Sequence, residues 1–426
     1  MRASRLATAS LLIVATALST PAPATAAPAD GQYYLQSADT GLNAADSGGT
    51  IAAHRPKGNE DHQQWVLRSS GDTVTLSNAD ESNACLGRSG GKAVRLACDS
   101  PDARWTLAEG YSLRAPGTDS YLRADLTLGA AARWYLTPVT ARTAPMPADP
   151  RLDQVTFLTA HNAFANGVDG GFAPPFVNLF PNQNRGISQQ LADGVRGFMM
   201  DIYQTPDGAI LCHTSCTLVS KPVALWVDVQ RVVDFLRQHP DQFVTIFLED
   251  YVDAALLRSE LARVNGLADL LYRPDRTGVR QNGWPTLSSL VAANQRLMIF
   301  TDHDRGSDSV ARDSFGVMYQ REWTVENYWS MGSGVGNSDW SCYSRWSEIP
   351  LTADQSPFHP LFVMNHFRDT PMSGTISTDN GKLLDRAQRF CQPAARKKPT
   401  YLAVDRYDLS NPMSAVTALN GYLYTP

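Results

Sequence analysis

The chain has almost no surplus charge. Its 37 Lys and Arg face 42 Asp and Glu, a formal net charge of −5. No long basic run is present, which argues against a general nucleic-acid binder, because phosphate contacts need clustered cations. The one basic triplet, Arg396-Lys397-Lys398, reads as a solvated loop. After the N-terminus there is no second long hydrophobic run, so no membrane span is expected in the mature chain. Cysteine is scarce, with six in 426 residues. Only Cys212, His213 and Cys216 cluster, and no fourth ligand is evident, which argues against a zinc site. An even number of cysteines in an exported chain suggests disulfides. Spacing favours the most local pairings: Cys85 with Cys98, Cys212 with Cys216, and Cys342 with Cys391.

What is there begins with "MRASRLATASLLIVATALSTPAPATAAPADG". Arg2 and Arg5 precede a short apolar run, and Ala24-Thr25-Ala26 fits a small-x-small cleavage site. Residues 1–26 read as a secretory signal, so the mature protein is expected to be secreted, soluble and monomeric. About 400 residues remain, enough for two domains.

The two halves follow different patterns. Residues 31–139 read as short alternating strands, such as "QYYLQ" and "TVTLS", with no convincing helix. Three segments end alike, at Trp65, Trp105 and Trp134, which signals an internal repeat. These units resemble the ricin-type β-trefoil, although only the first keeps the glutamine of that motif, at Gln63. The resemblance implies glycan binding through an acid in each unit. The matching positions carry Asn43, Gly87 and Arg123, and the tryptophans read as core. Residues 140–150, rich in Pro, Ala and Thr, read as a linker.

From 151 to 426, apolar runs of strand length alternate with helical patterns. The eight candidate strands are "QVTFLTA", "VRGFMMDIY", "AILCH", "FVTIFLED", "RLMIFTD", "FGVMY", "LFVMNHF" and "TYLAVDRY". Leu225, Val229, Val232, Val233 and Leu236 recur at helical spacing, with Pro240 beyond them. This alternation predicts a (β/α)8 barrel, of regular or irregular form. Chemistry in such barrels sits at the carboxyl ends of the strands. Those ends carry His161-Asn162, Asp201, His213, Glu249-Asp250, Asp302 and Asp405-Arg406. Ring closure would gather them around one cavity.

"AHNAF", "NQNRGISQQLADGVRGFMMDIY", "LCHTSC" and "HPDQFVTIFLEDYV" follow one another as in the X domain of phosphatidylinositol-specific phospholipase C. Together with "WPTLSSLVAANQRLMIF" and "KKPTYLAVDRYD", they resemble its secreted phosphodiesterase branch. The resemblance implies cleavage of an inositol phospholipid or related phosphodiester at a membrane surface, through a cyclic inositol phosphate. It makes His161 the general base and His213 the general acid, and imidazoles suit both transfers near neutral pH. A carboxylate behind His161 would stabilise the imidazolium, and Asp405 is the candidate. Asn162, Asp201 and Glu249 stand at Ca²⁺-ligand positions and are hard oxygen donors. Met199 departs from the pattern, because a thioether is a poor Ca²⁺ partner; water or Asp250 could compensate. Arg196 is expected inside the barrel, as a salt-bridge partner of Asp201 or Glu249 or as a substrate contact. Tyr319 and His366 are candidate cavity residues. A disulfide between Cys212 and Cys216 would pin the loop that carries His213. A second reading is a carbohydrate- or envelope-binding protein with an impaired barrel. A third, glycerophosphodiester phosphodiesterase chemistry, starts its site with His-Arg-Gly, which "AHNAF" is not.

Overall fold

The computed structural model describes residues 28–58, 60–169, 171–172, 181–213, 216, 219–304 and 315–426. The expected leader, residues 1–26, lies outside them.

Strands between Gly31 and Pro138 form an eight-stranded and a four-stranded antiparallel sheet. Alternating residues point into a core of their own, built around Tyr33, Leu35, Leu67, Leu76, Leu86, Leu113 and Leu122. Trp65, Trp105 and Trp134 are fully buried in it. Each indole N–H donates to a backbone carbonyl, of Ala44, Leu86 and Leu122 respectively, at 2.8, 2.8 and 2.9 Å. The same bond is thus made three times, once per repeat. Each indole removes roughly 200 Å² from water, worth on the order of 5 kcal/mol before entropy. The expected linker is not loose chain: Arg142–Pro145 pairs antiparallel with Tyr422–Thr425.

The second half is organised by eight parallel strands: β1 (Phe157–Ala160), β2 (Gly197–Thr205), β3 (Val244–Tyr251), β4 (Leu297–Thr301), β5 (Val317–Tyr319), β6 (Thr324–Glu326), β7 (Leu361–His366) and β8 (Tyr401–Val404). β8 pairs with β1, so the sheet curls back on itself into a barrel-like form. Ladders run from β5 through β4, β3, β2, β1, β8 and β7 to β6, and β5 and β6 share none. The strands are nearly continuous apolar runs because both faces are covered. The helix Leu225–Gln238 buries the predicted stripe of Leu225, Val229, Val232, Val233 and Leu236. Gly197 lets β2 approach β1, since a Cβ there would lie 2.2 Å from Thr159 Oγ1.

The ring differs from the expected one in two members. "AILCH" is not a parallel strand. The turn at Pro206-Asp207 reverses the chain, and Gly208–Leu211 pairs antiparallel with β2; a parallel neighbour would need a long crossover. The missing member is β6, whose three residues are too few to show a period. The triplet at 396–398 is not a solvated loop either. Arg396 donates to Thr137 Oγ1 and lies over the Tyr135 ring, while Lys398 Nζ donates to the Leu419 and Tyr422 carbonyls.

All three local disulfides are present: Cys85–Cys98, Cys212–Cys216 and Cys342–Cys391. Among the described residues, no helix is long and apolar enough to cross a membrane.

Candidate active site

A cavity of about 440 Å³ opens at the carboxyl ends of the ring strands. His161 follows β1, and its backbone N–H extends the ladder to the Val404 carbonyl at 3.0 Å. The next residue, Asn162, is left-handed at φ 43°, as is Arg406 at φ 40° after β8. Such backbone is uncommon outside glycine, and here it turns the chain sharply at both strand ends. His161 Nδ1 lies 2.8 Å from Asp405 Oδ1. A carboxylate only accepts, so Nδ1 carries the proton and Nε2 is left as the basic nitrogen. Asp405 is buried. Asn182 Nδ2 also donates to its Oδ1, at 3.0 Å. Gln183 Nε2 donates to the His161 and Val404 carbonyls at 2.8 and 2.9 Å, stitching β1 to β8. Phe367 stacks on the imidazole with centroids 3.5 Å apart and planes 6° apart.

His213 lines the same cavity. It follows the antiparallel return strand rather than a ring strand, beside the Cys212–Cys216 bridge. Burial, and next the neighbouring His161, pull its imidazole below the usual histidine value. Asp405 and Glu249 act in the opposite sense.

The side of the cavity formed by β2, β3 and β4 is acidic. Asp201, Glu249 and Asp302 line it beside Met199. Burial, then Glu249 and Asp302, push the Asp201 carboxyl well above its usual value. Burial likewise pushes Asp302 up to about 6. Tyr251 donates its hydroxyl to Glu249 and stacks on Tyr203 with centroids 4.5 Å apart.

A wall on the seam side was not anticipated. Glu326, at the end of β6, is buried and accepts from Arg345 at 2.9 Å, Asn365 at 2.6 Å and Gln320 at 2.8 Å. The Gln320 bond crosses the seam between β5 and β6. All four residues line the cavity. The Arg345 side chain is 32% exposed there. Glu326 first, with Glu249 and Asp302 adding, favours its charged form. A polar residue alternating within "LFVMNHF" was the only sequence signal, and it marks Asn365. Arg345 belongs to a long excursion with no period.

Three expected cavity residues lie elsewhere. Arg196 differs from Met199 and Asp201 by an odd number of positions, so strand alternation turns it to the opposite face. It donates to Gln242 and to the Leu191 and Val195 carbonyls, not to Asp201 or Glu249. His366 alternates with Asn365 and is fully buried behind the sheet, with Nε2 2.9 Å from the Asp379 carbonyl and Nδ1 3.3 Å from Arg386. Tyr319 lies off the cavity; the 3-10 turn Gln320–Glu322 presents Gln320 instead. Asp250 also faces away, and Thr301 Oγ1 donates to it at 2.9 Å.

The Ca²⁺ donors Asn162, Asp201 and Glu249 do share the cavity. Among the described residues, however, no three His, Cys, Asp or Glu side chains form a group that could hold a metal ion. Glu249 is engaged by Tyr251, and Met199 offers sulfur where a hard cation needs oxygen. Met199 and the engagement of Glu249 leave this a weak donor set for a hard cation, and no step below is routed through one. In the N-terminal unit, Asn43 is buried and donates to Gln63 Oε1. Gly87 packs under Leu96, and Arg123 sits by Asp125. None supplies the acid that a glycan site of the expected kind would use.

A PI-PLC X domain-containing protein of Arabidopsis thaliana is 32% identical over 260 residues, 60% of this chain and 58% of that protein. An uncharacterized secreted protein of Arthroderma benhamiae is 28% identical over 279 residues, with the same shares. The chain thus spans about 58% of the length of these curated relatives. Among solved structures, a mutant phosphatidylinositol-specific phospholipase C from Staphylococcus aureus is 11% identical, with a TM-score of 0.41, covering 65% of this chain and 95% of that one. The Macrolepiota procera ricin B-like lectin in complex with lactose covers 26% of this chain and 91% of its own, at 20% identity and a TM-score of 0.20. Neither score is high enough to carry an argument. The family model does: PI-PLC X matches residues 149–420, well over half of the chain, and the chain therefore belongs to the PI-PLC X domain family.

Proposed function

We propose that the protein is an exported phosphodiesterase of phospholipase C type, acting on an inositol phospholipid or a related phosphodiester. One observation carries this reading: His161, backed by buried Asp405, shares a single cavity with His213. His161 Nε2 takes the proton of a ring hydroxyl next to the phosphate. That oxygen forms a bond to phosphorus, and the bond from phosphorus to the diacylglycerol oxygen breaks. His213 delivers a proton to the departing oxygen, and a cyclic phosphodiester remains. Asp405 stabilises the imidazolium formed on His161. The acidic side suits a head group rich in hydroxyl donors, with Arg345 as a donor facing it.

The surrounding surface agrees with transient contact with a lipid bilayer. Among the described residues, the large exposed apolar side chains are Val168, Tyr251, Tyr328, Trp329 and Val335. All sit on or after the carboxyl ends of β1, β3 and β6, and Tyr251 and Trp329 line the cavity itself. We assign the second half, 151–426, to an irregular (β/α)8 barrel and residues 31–139 to a β-trefoil. The thrice-made indole bond supports the trefoil, and glycan binding there remains a proposal.

Phosphorus NMR of phosphatidylinositol micelles tests the reaction. A cyclic phosphate resonance is expected, equal in calcium and in chelator, and lost in His161→Ala. No cyclic product, or a product undiminished in that variant, defeats the reading.

A further inference from the structure

The N-terminal unit touches the barrel at a particular place. Its loop after Thr50–His54 runs between two elements of the second half. On one side, the Pro56 carbonyl accepts the Cys342 N–H at 3.0 Å, and the Arg55 guanidinium lies 3.8 Å from the centroid of the Tyr343 ring. On the other side, Gly58 packs on the helical segment through Arg389, so closely that a Cβ would lie 1.7 Å from the Arg389 carbonyl oxygen. Those two elements are the ones that Cys342–Cys391 joins.

The first of them leads straight to the cavity. Tyr343 stacks on Tyr328 with centroids 5.3 Å apart, and its carbonyl accepts the Tyr328 N–H at 2.8 Å. Tyr328 adjoins Trp329, which lines the cavity. Two residues beyond Tyr343, the Arg345 N–H donates to the Glu326 carbonyl at 2.9 Å, and its side chain is fixed by the Glu326 carboxylate. This wall stands beside β6, on the seam that no backbone ladder closes. Within the ring it is anchored from one side, through β6, the ladder of β6 to β7 and the bridge from Ser330 to Phe367, so an outside support on the other side has a job to do there.

We infer that the loop 55–58 of the N-terminal unit is a buttress for the head-group wall, with Arg55, Pro56 and Gly58 as positioning residues for Trp329 and Arg345. The unit thereby holds part of the substrate cavity in place. The inference rests on the proposed function for its kinetic consequence but not for its structural one.

Two variants of the full chain test it, each by hydrogen exchange and by phosphatidylinositol turnover in mixed micelles. Arg55→Ala removes a partly exposed cation–π contact, so KM is expected to rise roughly 2- to 5-fold, with kcat within about twofold and KM largely restored by Arg55→Lys. Gly58→Ala must displace the loop, and a larger rise in KM is expected. In both, amides of 327–345 should exchange faster while β1 and β8 keep their protection. Unchanged exchange in 327–345, or faster exchange with KM unmoved, overturns the buttress. If the wild type turns over no inositol lipid, the proposed function fails, and the exchange measurement alone decides the buttress.

Discussion

Replacing Asp405 by Asn isolates one charge. Asp405 Oδ1 accepts from both His161 Nδ1 and Asn182 Nδ2, while Oδ2 is buried with no hydrogen-bond partner among the described residues. An asparagine can therefore keep its oxygen toward the two donors and put its amide nitrogen where Oδ2 was. The imidazole tautomer and orientation survive, and the negative charge goes. In the ground state little is lost, because the ring is neutral. In the transition state the ring is an imidazolium, its charge roughly 4 Å from the carboxylate. At an effective dielectric constant of about 20, that attraction is worth about 4 kcal/mol, so kcat should fall about 10³-fold. The assay is turnover of phosphatidylinositol at saturating micelle concentration, with thermal melting to verify that Asp405→Asn folds as the wild type does. A loss below about tenfold in a well-folded variant would refute the assignment of Asp405 as the group that stabilises charge on His161.

Two further outcomes are expected. His213→Ala should lose roughly 10²- to 10⁴-fold on phosphatidylinositol, but less than about tenfold on an inositol phosphodiester with a nitrophenyl leaving group, which departs unprotonated; equal losses on both would remove His213 from the acid role. His366, held down to about 3 mainly by burial and then by Arg386, stays neutral in the fold, while an unfolded histidine protonates near 6.5. Its contribution is complete above that pH and is lost as pH falls from 6.5 towards 3, about 2 kcal/mol by pH 5. Urea unfolding at pH 7 and pH 5 should show a smaller acid-induced loss in His366→Gln than in the wild type, and identical losses would contradict the burial of an uncharged ring.

How much of this was legible depends on what periodicity can encode. Buried parallel strands are apolar runs, so seven ring members stood out, and the polar residues ending them marked His161, Asp201, Glu249 and Asp405. Strand alternation also decides which side chains face the cavity. An odd offset from Met199 turns Arg196 away from the cavity, and the same rule sends His366 behind the sheet while its neighbour Asn365 looks in. "AILCH" has the composition of a ring strand, and only the brevity of the turn before it betrays an antiparallel partner. β6 escapes because three residues have no period.

The seam-side wall is a different matter. Arg345, Trp329 and Tyr343 belong to the stretch between β6 and β7, where neither a two-residue nor a 3.6-residue repeat operates. Their positions come from a distant disulfide, a buried glutamate and a loop of the other unit. Those are contacts between residues far apart in the chain, and no local pattern reports them. Acid–base groups on strand ends inherit their geometry from the ladders, so a sequence can point to them. A specificity wall built where the ladder is broken must borrow its rigidity from elsewhere in the molecule. On that argument, substitutions around the seam should alter which head group is accepted, whereas substitutions at β1 and β8 should alter whether any is cleaved.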